Sequence, residues 1–259
     1  MSFPNFPDKK QGEPVMKPKD TIEMRRTFGR FPAVDPPKGL ILCLKNDLPY
    51  QLRWKTPVQK VGRVMGDVFL VKRTRGRVGV LSNFGIGAPV VVSLAEEMIA
   101  WGVERFVILS WGGALQKELH TGDVVLNDRA IRDEGVSHHY LPAEKYVSSD
   151  SSLKLKIESH LNSQNIKFTS GATWTTDAPY RETKEEILQY QSEGIQTVEM
   201  EIAGLFALAR FRGVKAASIV IVADRLANLK WESPLGMKEI NQSFEAAYNA
   251  AIDALNEDA

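Results

Sequence analysis

The sequence is short of cysteine and of metal-spaced histidines, and each shortage excludes a class of site. Cys43 is the only cysteine in 259 residues, so we expect neither an intramolecular disulfide nor a cysteine-based metal centre. It lies in the apolar run LILCL and is interpreted as a small core residue. His138 and His139 have no acid or third histidine at ligand spacing, so they are interpreted as surface or core residues and no metal is expected.

The sequence also lacks an excess of charge and any long apolar run. It has 33 Lys and Arg against 32 Asp and Glu, with a net charge of +1. This balance gives no support to nucleic-acid or membrane-surface binding. No apolar segment approaches the length of a membrane span, and no targeting segment is evident. We therefore expect a soluble, cytoplasmic protein without nucleic-acid or membrane partners.

Proline is plentiful only at the N-terminus, where residues 1–38 hold seven of the 13 prolines. With little periodicity, this segment is predicted to be an extended arm, either mobile or laid across a partner subunit. From Gly39 onward, strand and helix patterns alternate, without an internal repeat or a second domain. The alternation predicts a single three-layer α/β domain over residues 39–259, with a mixed, mainly parallel central sheet.

Two predicted strands run directly into acidic residues. The run IQTVEM is followed by Glu201, and the run ASIVIVA is followed by Asp224. Short runs rich in Val and Ile are typical of strands buried on both faces, and ligands bind at the carboxyl ends of such strands. The acids therefore indicate a site. Two plainer explanations stay open, because Glu201 also suits a helix start and Asp224 a turn cap or a pair with Arg225.

Glycines follow two other predicted strands. Gly85 and Gly87 lie between the strand RVGVLSN and a helix, and Trp111, Gly112 and Gly113 follow the strand RFVILS as a second flexible turn. Glycine lets backbone N–H groups approach a ligand, and a helix N-terminus suits anions. Gly-x-Gly at such a junction is more often a plain tight turn, so the pattern alone is weak.

Six segments resemble, in order and spacing, the nucleoside phosphorylase superfamily, specifically its hexameric uridine and purine nucleoside phosphorylase branch. They are FGIGAP, WGGALQ with GDVVL, AIRDEGVSHHYLP, GATWTTDAPYRET, TVEMEIAGLFALA and IVIVADRL. The resemblance runs from Leu40 to the C-terminus. It implies phosphorolysis of a nucleoside to free base and ribose 1-phosphate by a homo-oligomer, dimer-based or hexameric. Inorganic phosphate would be the co-substrate, and no metal or organic cofactor is implied.

The resemblance also implies roles at the sugar. Met200 would pack under the ribose, Glu201 would accept hydrogen bonds from its 2′- and 3′-hydroxyls, and Glu199 would assist there. Asp224 would stabilise or protonate the leaving base, help that typically contributes about 10²–10⁴-fold.

At the base, the resemblance implies that Tyr180 stacks and that Arg181 contacts base or phosphate. Uridine phosphorylases carry a Gln and an Arg in this segment, and the Gln is missing here. Together with Asp224, this favours purine nucleosides over uridine, although the DRL triplet is similar to the uridine branch.

The positions that bind phosphate in the family depart from the family pattern in this chain. Tyr50 stands where an arginine is expected, Ile108 replaces a second arginine and Trp111 replaces Thr or Ser. An isoleucine cannot neutralise a dianion. A phosphorylase would therefore recruit other cations, from among Lys45, Arg63, Arg73 and Arg181, in the same chain or from a neighbouring subunit. Two alternatives remain: a nucleoside hydrolase that uses water, and a non-catalytic nucleoside-binding relative. The glycines at Gly85, Gly87, Gly112 and Gly113 favour the phosphorylase, since their backbone N–H groups suit an anion.

Overall fold

A mixed sheet lies between two layers of helices in the computed structural model, which describes residues 4, 6, 9–233 and 237–257. Over these residues the strands are β1 (Gly39–Cys43), β2 (Val58–Arg63), β3 (Asp67–Val71), β4 (Val78–Ser82), β5 (Arg105–Ala114), β6 (Val124–Asp133), β7 (Tyr146–Ser148), β8 (Thr169–Thr176), β9 (Thr197–Glu199) and β10 (Lys215–Arg225). The helices are α1 (Pro18–Thr27), α2 (Leu48–Gln51), α3 (Ala88–Trp101), α4 (Ser151–Ser163), α5 (Lys184–Ser192), α6 (Ile202–Arg212) and α7 (Met237–Asn256). The predicted three-layer α/β class is confirmed.

Five of the strands close into a ring. β10 pairs in parallel with β5 and antiparallel with β6, while β8 and β9 complete the circuit from β6 back to β5. The remaining path runs from β5 through β1, β4 and β3 to β2. Because β1, β4, β5 and β10 run parallel, their carboxyl ends meet at one edge. The sequence neighbours β3 and β4 pair antiparallel.

Side chains on the two faces of the sheet belong to separate apolar clusters. α3 and α6 cover one face, and α4 and α7 cover the other. Cys43 points into the second cluster and is fully buried, which confirms its reading as a core residue. The first eight residues of α6 are all buried, because this helix lies between α3 and the sheet. No helix among the described residues is long and apolar enough to cross a membrane.

The sequence predicted an extended proline-rich arm, whereas the structure shows that part of the arm is helical. Residues 18–27 form α1, whose first residue is Pro18, a position where proline suits a helix because its missing N–H would be unpaired anyway. α1 packs on α3: Ile22 is buried, and Arg25 Nε lies 3.2 Å from Glu97 Oε2. Residues 1–3, 5, 7 and 8 of the arm lie outside the described residues.

We predict that Gly112→Ala destabilises the protein at the ring closure. A Cβ there would lie 2.5 Å from Val220 Cγ1 and 3.0 Å from Val198 O, so β5, β9 and β10 could not keep their spacing. Overpacking of this kind costs about 1–3 kcal/mol, measurable as the free energy of unfolding in urea. Gly85→Ala is the matched control, because its Cβ would make only an ordinary contact, 3.7 Å from Val90. Equal unfolding free energies for both variants would contradict the prediction.

Candidate active site

A cavity of about 870 Å³ lies where β5 and β10 end. Seven of the residues singled out in the sequence line it together: Trp111, Gly112, Gly113, Tyr180, Glu199, Met200 and Asp224. Four others do not line it, namely Glu201, Arg181, Gly85 and Gly87. The strand ends therefore converge as expected, although β9 reaches this edge antiparallel to β5.

Glu199 ends β9 and caps the following helix. Its Oε2 accepts hydrogen bonds from the backbone N–H groups of Glu201 and Ile202, each at 2.7 Å. Its Oε1 accepts from the hydroxyl of Thr175 on β8, and that hydroxyl accepts from the N–H of Ala203 at 3.0 Å. The first N–H groups of α6, which have no partner within the helix, are thus satisfied by one carboxylate and one hydroxyl. Glu199 fixes the strand-to-helix junction.

Glu201 lies behind the cavity wall and joins two loops. Its Oε1 accepts from the N–H of Gly87 at 2.7 Å, and its Oε2 accepts from the N–H of Met200 at 3.2 Å. The Gly87 turn that opens α3 is thereby held against the start of α6. A carboxylate offers about four acceptor positions. Two protein bonds leave Glu201 with acceptor capacity for a further donor.

Burial dominates the protonation of this acid pair. It raises the pKa of Glu199 to about 8, with the charge of Glu201 acting in the same direction. Burial likewise raises the pKa of Glu201, against the opposing effect of hydrogen bonds from Gly87 and Met200. Near neutral pH the two carboxyl groups therefore favour carrying a proton between them.

Asp224 reaches the cavity because β10 changes register just before it. Val222 pairs with Gly112, and Asp224 rather than residue 223 pairs with Gly113. This irregularity turns Asp224 away from the face on which Val222 packs in the core. The carboxylate accepts a hydrogen bond from Trp231 Nε1 at 2.8 Å. Burial raises its pKa, although the bond from Trp231 opposes the shift.

A third acid, Glu182, lines the same cavity and was missed in the sequence. Burial raises its pKa to about 7, and the charges of Asp224 and then Glu186 add to the effect. Within the described residues, no donor hydrogen-bonds its carboxylate. Its position beside Arg181, in the segment that the resemblance assigns to the base, was the signal that could have identified it.

Trp111, Gly112 and Gly113 are not a flexible turn, and that expectation was wrong. β5 continues to Ala114, and both glycines pair with β10. A Cβ on Gly113 would lie 2.4 Å from Leu226 Cδ1 and 3.3 Å from Asp224 Oδ2. The glycines are therefore required for close strand packing at the cavity wall. Gly85 and Gly87 do form a turn, where Gly87 has a φ of +95°.

The two positions of β5 that depart from the family pattern, Ile108 and Trp111, face opposite sides of the sheet. Ile108 is fully buried in the apolar cluster beneath α3 and α6. Trp111 lies on the other face, with its ring centroid 4.6 Å from that of Phe244 on α7. The Nζ of Lys45 lies 5.8 Å from the centroid of the Trp111 ring.

The other cations considered for phosphate have different surroundings. Arg73 pairs with Asp253 at the far end of α7. Arg63 Nη1 lies 3.8 Å from Asp67 Oδ1, a carboxylate that also accepts from the Tyr50 hydroxyl. Lys45 alone of the four candidates contacts a ring that lines the cavity.

Comparison with known proteins identifies the family. A sequence model of the phosphorylase superfamily matches residues 39–256. The chain is 31% identical to a guanosine phosphorylase of Halorubrum lacusprofundi over 56% of this chain and 61% of that protein. It is 25% identical to a uridine phosphorylase of Haemophilus influenzae over 68% of this chain and 74% of that protein. It is also 25% identical to a DeoD-type purine nucleoside phosphorylase of Bacillus cereus, over 72% and 85% respectively. The chain belongs to the phosphorylase superfamily.

These relatives define the class of protein and leave the substrate open. Their names specify guanosine, uridine and purine nucleosides, so what they share is nucleoside phosphorylase chemistry. The match spans less than two thirds of the guanosine phosphorylase, at 61% of its length. The resemblance seen in the sequence is confirmed at the level of the superfamily.

We predict that Glu199→Gln flattens the dependence of stability on pH. Burial raises the pKa of Glu199 to about 8 in the folded protein, whereas an unfolded glutamate titrates near its usual pKa of 4.5. Rising pH across this window therefore favours unfolding, and Gln removes the contribution while keeping an acceptor for the helix N–H groups. Thermal unfolding between pH 5 and about pH 8 measures the slope. Glu185→Gln, at an exposed position on α5, is the control; an unchanged slope in Glu199→Gln would contradict the assignment.

Proposed function

We propose that this protein cleaves the N-glycosidic bond of a purine nucleoside by phosphorolysis, releasing free base and ribose 1-phosphate. The observation that carries the proposal is the convergence of Asp224 with the Glu199 and Met200 junction around one cavity. Membership of the superfamily supports the same reaction class. Inorganic phosphate is the co-substrate, and the reaction requires no metal or organic cofactor.

In the proposed reaction, a phosphate oxygen attacks the anomeric carbon as the bond to the base nitrogen breaks. The bonding electron pair leaves with the base, and positive charge develops on the sugar. Asp224, whose pKa burial raises, supplies or shares a proton at the imidazole nitrogen of the base. Met200 lines the cavity and packs beneath the ring. Glu201 does not line the cavity, so the ribose must displace the wall at Met200 for its hydroxyls to reach the open acceptor positions of Glu201. The negative charge of Glu201 favours the cation-like sugar.

The base half of the cavity supports a purine. Tyr180 is almost fully exposed at 99%, so its ring is available for stacking. Asp224 and Glu182 place two acids of raised pKa in the same cavity, matched to proton transfer and to the N–H groups of a base. Similarity to a guanosine phosphorylase agrees with this preference. Arg181 is a secondary candidate for the base or the phosphate.

A nucleoside hydrolase is the second candidate, and the phosphate half favours it. Ile108 is buried in the core and Trp111 packs on Phe244, so neither position offers the cation or hydroxyl of the family pattern. Water would then attack the anomeric carbon, giving free ribose. A non-catalytic nucleoside-binding protein would keep the cavity and release no base.

The proposal includes a cytoplasmic homo-oligomer assembled from dimers, with six subunits as the largest form. Light scattering on the full chain measures its mass directly. The proline-rich arm would contact a neighbouring subunit, so removal of residues 1–16, which leaves α1 in place, should lower the number of subunits. An unchanged number of subunits would remove residues 1–16 from the interface.

We predict that base release depends on phosphate. Inosine, adenosine, guanosine and uridine are incubated with the protein, with and without phosphate, and free base is followed by absorbance and chromatography. The expected result is release from purine nucleosides only when phosphate is present, with ribose 1-phosphate as co-product. Release without phosphate, giving free ribose, would establish the hydrolase. Measurable binding without any release would establish the binding protein.

We predict that Asp224→Asn lowers kcat on purine nucleosides by about 10²-fold while the nucleoside Kd stays within a few-fold. The amide keeps the shape of the side chain but loses the transferable proton. Asp128→Asn, at an exposed position on β6, is the matched control. Equal turnover in Asp224→Asn and the control would remove Asp224 from the mechanism.

A further inference from the structure

We propose that Lys45 is the cation that binds phosphate in this chain. The Asp47 carboxylate forms an ion pair with the Lys45 ammonium group until phosphate displaces it. The inference rests on the phosphorolysis proposed above and names the group that replaces the missing arginines.

The position of Lys45 follows from the sheet. β1 lies between β4 and β5, and Cys43 at its end pairs with Leu109. Lys45 follows two residues later, on the same side as Trp111, with its Nζ 5.8 Å from the centroid of that ring. Trp111 lines the cavity, whereas Lys45 does not, so the Trp111 ring joins the ammonium group to the cavity.

The ammonium group is buried with few partners. Only 5% of the Lys45 side chain is exposed, and its Nζ lies 2.8 Å from Asp47 Oδ1. An ammonium group carries three donors, and burying it without partners costs free energy. Across the described part of the chain, Asp47 is the one acceptor that Lys45 Nζ has. The face of the Trp111 ring supplies the remaining favourable contact. Lys45 therefore retains donor capacity for an anion.

The position of the Asp47 carboxylate allows it to release Lys45. The Asp47 side chain is 58% exposed, so water can solvate it once the ion pair opens. Its other oxygen accepts from the Gln51 side chain one helical turn away. Phosphate near neutral pH carries more negative charge than a carboxylate and has more acceptor oxygens, so exchange on Lys45 is favourable when phosphate is present.

A backbone donor lies near the same segment. The N–H of Asn83 donates to Asn46 Oδ1 at 3.0 Å, which ties the residue between Lys45 and Asp47 to the turn after β4. Gly85 belongs to that turn, and among residues 9–233 and 237–257 nothing accepts from its N–H. The Gly85 N–H is thus a donor of the kind that glycine turns offer an anion, two residues from the contact of Asn83 with Asn46.

The test compares the phosphate kinetics of three variants, Lys45→Met, Lys45→Arg and Asp47→Asn, with those of one control variant. Lys45→Met should raise the KM for phosphate at least tenfold and leave the nucleoside KM unchanged, with partial rescue by Lys45→Arg. Asp47→Asn should lower the KM for phosphate, because the competing charge is gone. Lys55→Met, which breaks the exposed pair with Glu245 at 2.7 Å, is the control. An unchanged phosphate KM in Lys45→Met, or a higher one in Asp47→Asn, overturns the inference.

Direct binding separates this inference from the proposed function. Inorganic phosphate is titrated while tryptophan fluorescence is followed, and Trp111→Phe assigns the signal to the ring beside Lys45. A saturable change that Lys45→Met abolishes supports the inference even if no nucleoside is cleaved. Phosphorolysis with normal phosphate binding in Lys45→Met refutes the inference and leaves the proposed function standing.

Discussion

The rest of the site depends on one interaction, in which the buried Glu199 carboxylate accepts hydrogen bonds from the backbone at the start of α6. Glu199 receives the N–H groups of Glu201 and Ile202, and through Thr175 it joins β8, β9 and α6. Since α6 is buried between α3 and the sheet, its first turn cannot be satisfied by water. The acid that completes the fold thus also orients Met200 toward the cavity and Glu201 toward Gly87. Stability and binding geometry share the same hydrogen bonds.

The site has two halves of different character. At the positions proposed for the base, Asp224 and Glu182 lie in a cavity with exposed aromatic rings. At the positions where the family pattern has its anion-binding residues, the structure has an isoleucine in the core and a tryptophan on the opposite face of β5. Under the proposed function, the chain would keep the leaving-group chemistry and change how the attacking group is held.

Much of the fold could be predicted from the sequence, because apolar runs and helical patterns alternate clearly after Gly39. What could not be predicted arises from long-range pairing. Ring closure depends on β10 pairing with both β5 and β6, which no local pattern specifies. The alternation of residues along a strand does not reveal the register change before Asp224. The direction of the Asp224 side chain therefore could not be predicted from the sequence. The sequence predicts a turn at Gly112 and Gly113, because a glycine in the sequence indicates either a flexible backbone or close strand packing and does not distinguish them. α1 was missed because proline can start a helix as well as prevent one.

The closed ring has a consequence for how the protein folds. β5 and β10 pair from Arg105 with Lys215 onward, across about 110 residues of intervening chain. Contacts of such large sequence separation form slowly, because the entropy of closing a long loop is lost before the contacts form. Asp224 lies on the last strand of the sheet, so during synthesis the cavity stays incomplete until that strand has emerged and docked.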